Sequence, residues 1–84
     1  MTSRVAVSFW QRFAKLPEAT QRLAFKNYQL WLADQQHPSL RFKPFKYGQW
    51  SVRVGEHYRA TGYFLDAETF VWTWIGSHEA YNKL

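Results

Sequence analysis

The stretch Trp50-Ser51-Val52-Arg53-Val54-Gly55-Glu56-His57-Tyr58-Arg59-Ala60-Thr61-Gly62-Tyr63-Phe64 decides the fold. Trp50, Val52 and Val54 alternate with Ser51, Arg53 and Gly55, the period of a strand with one face buried. Gly55-Glu56-His57 reads as a turn. Tyr58, Ala60, Gly62 and Phe64 then alternate with Arg59, Thr61 and Tyr63, which makes a second strand. Asp66-Ala67-Glu68 is the next turn. Residues 70–75 carry large apolar side chains at both parities, as a central or doubly covered strand does. Three strands joined by short turns predict an antiparallel meander.

Upstream the period changes to that of a helix. Phe9, Phe13 and Leu16 fall at i, i+4 and i+7, with Val5 one turn earlier, so residues 1–16 read mostly as helix rather than strand. Pro17 stops this helix and suits the first turn of the next. The second helix is expected over residues 17–36, with Thr20, Leu23, Ala24, Asn27, Tyr28 and Trp31 on one side. Gln36-His37-Pro38 ends it, because the residue before a proline is driven out of the helical region. Gly76-Ser77 breaks the last strand, and Ser77 can cap a short helix over residues 78–83. The expected class is α+β: an N-terminal helical hairpin on a three-stranded antiparallel sheet, with a short C-terminal helix, as one domain spanning residues 1–84.

A chain of 84 residues has little volume for a core, and five Trp, five Tyr and seven Phe supply the apolar area it needs. There is no cysteine, which removes thiol and zinc-finger chemistry and favours a reducing compartment. No stretch approaches a membrane span, and the N-terminal apolar run is too short for a signal peptide, so a soluble cytoplasmic protein without membrane association is expected. The net charge of +5 is concentrated in the middle. Residues 37–63 hold Arg41, Lys43, Lys46, Arg53 and Arg59 against Glu56 alone. Alternation sets Arg53 and Arg59 opposite the apolar face, so a positive, uncovered sheet face is predicted. Such a face suits a polyanion. Ordinary pairing with Glu56, Asp66 or Glu79 is the alternative.

The segment from Trp50 to Ala60 is similar to the central strand pair of the RelE/ParE toxins, in which an Arg-containing apolar strand turns and re-enters as Tyr-Arg plus small residues. The Leu16-Pro17 break, Pro38-Ser39-Leu40-Arg41-Phe42-Lys43, and the ending Trp74-Ile75-Gly76-Ser77-His78-Glu79-Ala80-Tyr81 match that family's layout in order and spacing. The resemblance covers nearly the whole chain. It implies the toxin of a type II toxin–antitoxin module, with a cognate antitoxin as partner. One branch of the family cleaves mRNA on the ribosome without metal; the other inhibits DNA gyrase.

For metal-independent RNA cleavage a base must activate the 2′-OH, an acid must protonate the leaving 5′ oxygen, and cations must hold the charged phosphorane. The resemblance assigns phosphate stabilisation to Arg59, whose fork binds phosphate bidentately. Lys43 and Lys46 precede the first meander strand, where the nuclease branch carries basic residues; solvated charge is their other reading. His78 is the terminal imidazole and Tyr81 the aromatic one turn later, both also readable as packing of the chain end. Arg41, Arg53 and His57 are candidate nucleic-acid contacts. Trp50, Trp72 and Trp74 read as stacking platforms or, better, as core. No cofactor and no metal are expected, since three scattered histidines without cysteine make no metal site. The function expected is a ribosome-dependent mRNA endoribonuclease toxin. The alternatives are a gyrase inhibitor and a non-catalytic nucleic-acid- or protein-binding module on the same scaffold.

Overall fold

The computed structural model describes residues 1–84. The elements run β1 (Thr2–Val5), α1 (Val7–Phe13), α2 (Glu18–Ala33), β2 (Lys43–Pro44), β3 (Gln49–Val54), β4 (Tyr58–Asp66), β5 (Thr69–Ser77) and α3 (His78–Asn82). The class is α+β, and the meander of β3, β4 and β5 forms as its alternation requires.

The sheet is larger than the expected three antiparallel strands. It has five, in the order β1-β5-β4-β3-β2, and it is mixed. β1 lies parallel to β5, with Val5 opposite Trp72. Val5 and Phe9 both reach the core, which mimics a helical i, i+4 pair across a strand-to-helix junction. A four-residue edge strand whose partner lies some 67 positions away leaves no local signature. β2 is only two residues long and contains Pro44, so it closes the opposite edge against further pairing.

Both N-terminal helices lie on one face of this sheet. α2 ends at Ala33, three residues before the expected stop. Asp34 turns extended and its carboxylate accepts the Gln36 N–H at 3.0 Å, a local bond that competes with the helical ladder. His37 does not merely end a helix. Its Nδ1 accepts the Ser39 N–H and caps the single 3-10 turn Pro38–Leu40, which plugs Leu40 into the core.

The core centres on Trp31, which is fully buried and meets Phe42, Phe70 and Trp72 with ring centroids 5.1–5.7 Å apart. Val52, Val54, Ala60 and Ile75 complete it from the sheet. Between α1, α2 and the sheet an apolar cavity of about 270 Å³ remains, lined by Phe9, Phe13, Tyr28 and Val52 among others. No helix is long and apolar enough to cross a membrane.

Candidate functional site

Strand pleating sets alternate residues of β3, β4 and β5 on the face away from α1 and α2. Antiparallel partners share a face, so the register defines two rows there. Lys43, Ser51, Thr61 and Trp74 form one; Arg53, Arg59 and Gly76 form the next. Neighbours within a row are about 5 Å apart, and the rows about 7 Å apart. Trp74 joins the first row because Thr73 is an extra residue in β5: Thr61 pairs Trp74 while Gly62 pairs Trp72.

Arg53 and Arg59 therefore oppose one another on the face that alternation assigned to them. Neither pairs with Glu56, Asp66 or Glu79; the chain's ion pairs are Arg22–Glu18 and the weak His57–Glu56 contact at 3.9 Å. The Arg59 Nη1 donates to the carbonyls of Tyr58, Gly55 and Glu56 at 2.7, 3.3 and 3.4 Å. Its Nε and Nη2 have no protein acceptor, which leaves one edge of the fork free. Arg53 Nε donates to the Gly55 carbonyl at 3.2 Å, so the turn carbonyls hold both guanidinium groups. Partial burial lowers the Arg59 pKa from its usual value, and Arg53 adds to this. Tyr81 acts in the opposite sense, and Arg41 lowers it further.

The short α3 lies over this face. Ser77 Oγ accepts the Ala80 N–H and starts it. Tyr81 then stacks on Phe45 at 4.6 Å, and its hydroxyl donates to the buried Ser51 Oγ at 3.1 Å. Tyr81 is thus built into the packing of the chain end, and it also stands beside Arg59. The His78 ring lies 6.2 Å from the Tyr81 ring and is exposed, while its backbone N–H donates to the His57 carbonyl at 2.7 Å.

The remaining predicted residues divide. Lys43 is exposed and opposite Ser51, on the Tyr81 side of the sheet. Arg41 sits in the left-handed region at φ 48°, close enough to act on Arg59. Lys46 is directed at the backbone carbonyl of Leu84 rather than at Arg59. His57 occupies the turn and faces solvent beside Glu56. Trp50 and Trp72 pack against Phe64 and Phe70, and Trp74 is buried, so none of the three is a free stacking platform.

Two features had no sequence signal. Phe45 forms the bed for Tyr81. Tyr47, next to Lys46, is 91 % exposed at a left-handed φ of 58°.

No family model and no curated protein matches the chain by sequence. Solved structures do match by shape. The RelB–RelE antitoxin–toxin complex from Methanococcus jannaschii is similar with a TM-score of 0.74 at 13% identity, over 95% of each chain. A YoeB/ParE toxin from Agrobacterium tumefaciens gives 0.71 at 13% identity, over 93% of this chain and 99% of that one. The RelBE2 toxin–antitoxin complex of Mycobacterium tuberculosis gives 0.67 at 21% identity, over 92% and 96%. The five-stranded mixed sheet, with α1 and α2 inserted between β1 and β2, is the fold of the RelE/ParE toxins.

Proposed function

We propose that this chain is the toxin of a toxin–antitoxin pair and that it acts as a metal-independent mRNA endoribonuclease on the ribosome, neutralised by a cognate antitoxin. The observation that carries the reading is the free Nε/Nη2 edge of Arg59, set near Arg53, Arg41 and Tyr81 and in no ion pair, on a sheet face whose two rows hold no carboxylate. Two parallel N–H donors match two oxygens of a phosphodiester. In the reaction the 2′ oxygen forms a bond to phosphorus as its proton passes to a base, and the P–O5′ bond breaks as that oxygen takes a proton. Arg59 holds the charge of the phosphorane, and Lys43, on the same face two strands away, adds positive charge. His78 is the exposed imidazole for one proton transfer, and Tyr81 steadies the nucleotide.

A second reading, inhibition of DNA gyrase, draws on the Tyr81 hydroxyl. It is already bonded to Ser51 and so does not need to serve in proton transfer.

The test is induction of wild type, Arg59→Ala and His78→Ala in bacteria, with growth followed and mRNA 5′ ends mapped. Growth arrest with new ends inside translated codons, lost in both variants, is the expected result. Arrest with intact mRNA and a DNA-damage response would transfer the chain to gyrase. Folded protein with no effect would sink the nuclease mechanism.

A further inference from the structure

A second cationic site lies beside Arg59, on the other side of β5. Ser8, Gln11, Arg12 and Lys15 of α1 and the following turn, with Ile75 and Gly76 of β5, enclose an open cleft of about 360 Å³. No acidic residue lines it, and neither Arg12 nor Lys15 takes part in an ion pair. Ser8 Oγ donates to the Thr73 carbonyl at 2.8 Å and pins α1 to the strand. The Gln11 amide, the Arg12 guanidinium and the Lys15 ammonium have no protein hydrogen-bond partner, so the free donors of the cleft outnumber its acceptors.

The cleft is joined to the sheet face by a physical bridge. Gly76 is the cross-strand partner of Arg59, and it also lines the cleft. The Trp74 ring lies back over Gly76, where an added Cβ would come within 2.6 Å of it. The Arg12 guanidinium in turn sits over the indole, 5.8 Å from its centroid. Stacking on the indole restrains the guanidinium while leaving its N–H edge for an oxygen ligand. Arg59 and the Arg12–Lys15 cleft are thus linked through Gly76 and one buried aromatic, Trp74.

We propose that this cleft binds the phosphodiester backbone of the same RNA strand that Arg59 engages, so that the strand crosses the Trp74–Gly76 edge and runs along α1. The inference rests on the reading of the sheet face as a nucleic-acid surface. Nucleic acid is favoured over an acidic protein because the two cations flank a polar trough. Only two of its seven lining residues, Leu16 and Ile75, are hydrophobic, and Ile75 is buried, so the cleft offers an acidic amphipathic helix no row of apolar side chains to dock on.

The experiment uses the full chain and a fluorescein-labelled 2′-O-methyl RNA single strand, which binds but has no nucleophile to be cleaved. Affinity is measured by anisotropy across a salt series. The Arg12→Gln/Lys15→Gln double variant is compared with Arg22→Gln/Lys26→Gln, which removes equal charge from α2. Loss of two backbone contacts lowers the salt slope by about 1.4 and weakens binding about tenfold or more at low salt. The α2 variant is expected to keep the wild-type slope, and Arg12→Lys/Lys15→Arg to retain the affinity of wild type within about threefold.

Equal losses in the α1 and α2 variants would mean diffuse charge and overturn the proposal. An unchanged slope in the α1 variant would also overturn it and leave the cleft to an acidic protein. The readout is independent of catalysis. Failure of cleavage in cells with a reduced slope in the α1 variant would leave this site standing, whereas intact cleavage with an unchanged slope would remove only the site.

Discussion

Arg53 and Arg59 stand directly opposite each other across β3 and β4, on one face, with no carboxylate paired to either. Like charges in facing sheet positions work against folding. The fold keeps them because the turn carbonyls hold both heads, and the repulsion is partly screened by water.

Arg53→Gln should therefore stabilise the protein slightly, by up to about 0.5 kcal/mol at low salt. The gain should vanish at about 1 M salt, where the Debye length is only ~3 Å. Denaturant titrations at the two ionic strengths measure both. A loss of stability at low salt would show that the bond to the Gly55 carbonyl outweighs the repulsion.

Tyr81→Phe keeps the stack on Phe45 and removes the hydroxyl, which leaves the buried Ser51 Oγ without a partner. The expected cost is about 1–2 kcal/mol. Ser51→Ala in the Tyr81→Phe background should restore part of it, with a coupling of about 1 kcal/mol in the double-mutant cycle. Additive effects would mean that the hydroxyl pair contributes nothing to the docking of α3.

Gly62 has no room for a side chain. A Cβ there would strike the Val71 carbonyl oxygen and approach the Phe70 ring at 2.5 Å, beside the irregularity where β4 and β5 shift register. Gly62→Ala should cost about 3 kcal/mol, which for a domain of this size lowers the melting temperature by roughly 12–24 °C. Unchanged melting would mean that the two strands can separate freely at this point.

Asp66 holds the β4–β5 turn. Its Oδ1 accepts the Glu68 N–H at 2.8 Å; this bond, then the Thr69 hydroxyl, lowers its pKa from the usual value. A carboxylate whose folded pKa is depressed stabilises the fold above its unfolded pKa of about 3.9 and loses that contribution as pH falls through the folded value. Asp66→Ala should therefore be less stable than wild type at neutral pH, and the difference should shrink on acidification below about pH 4. Thermal melts across an acid series test it; a difference independent of pH would assign the effect to backbone propensity instead.

The pleat made the sign of the open face readable from residues 50–64 alone. Once Val52, Val54 and Ala60 are buried, Arg53 and Arg59 must point the other way, because side chains alternate with period two. Pro17 separated the helices for an equally local reason. The rest depended on contacts between residues far apart in the chain, which no local period encodes. β1 became a strand because β5 offered it an edge. Tyr81 reached Ser51 because α3 folds back over the sheet. Arg12 reached Trp74 because the extra residue Thr73 reverses the alternation of β5 and turns that indole out of the core side. A single inserted residue leaves composition and hydropathy almost unchanged, yet it moves every side chain beyond it to the opposite face.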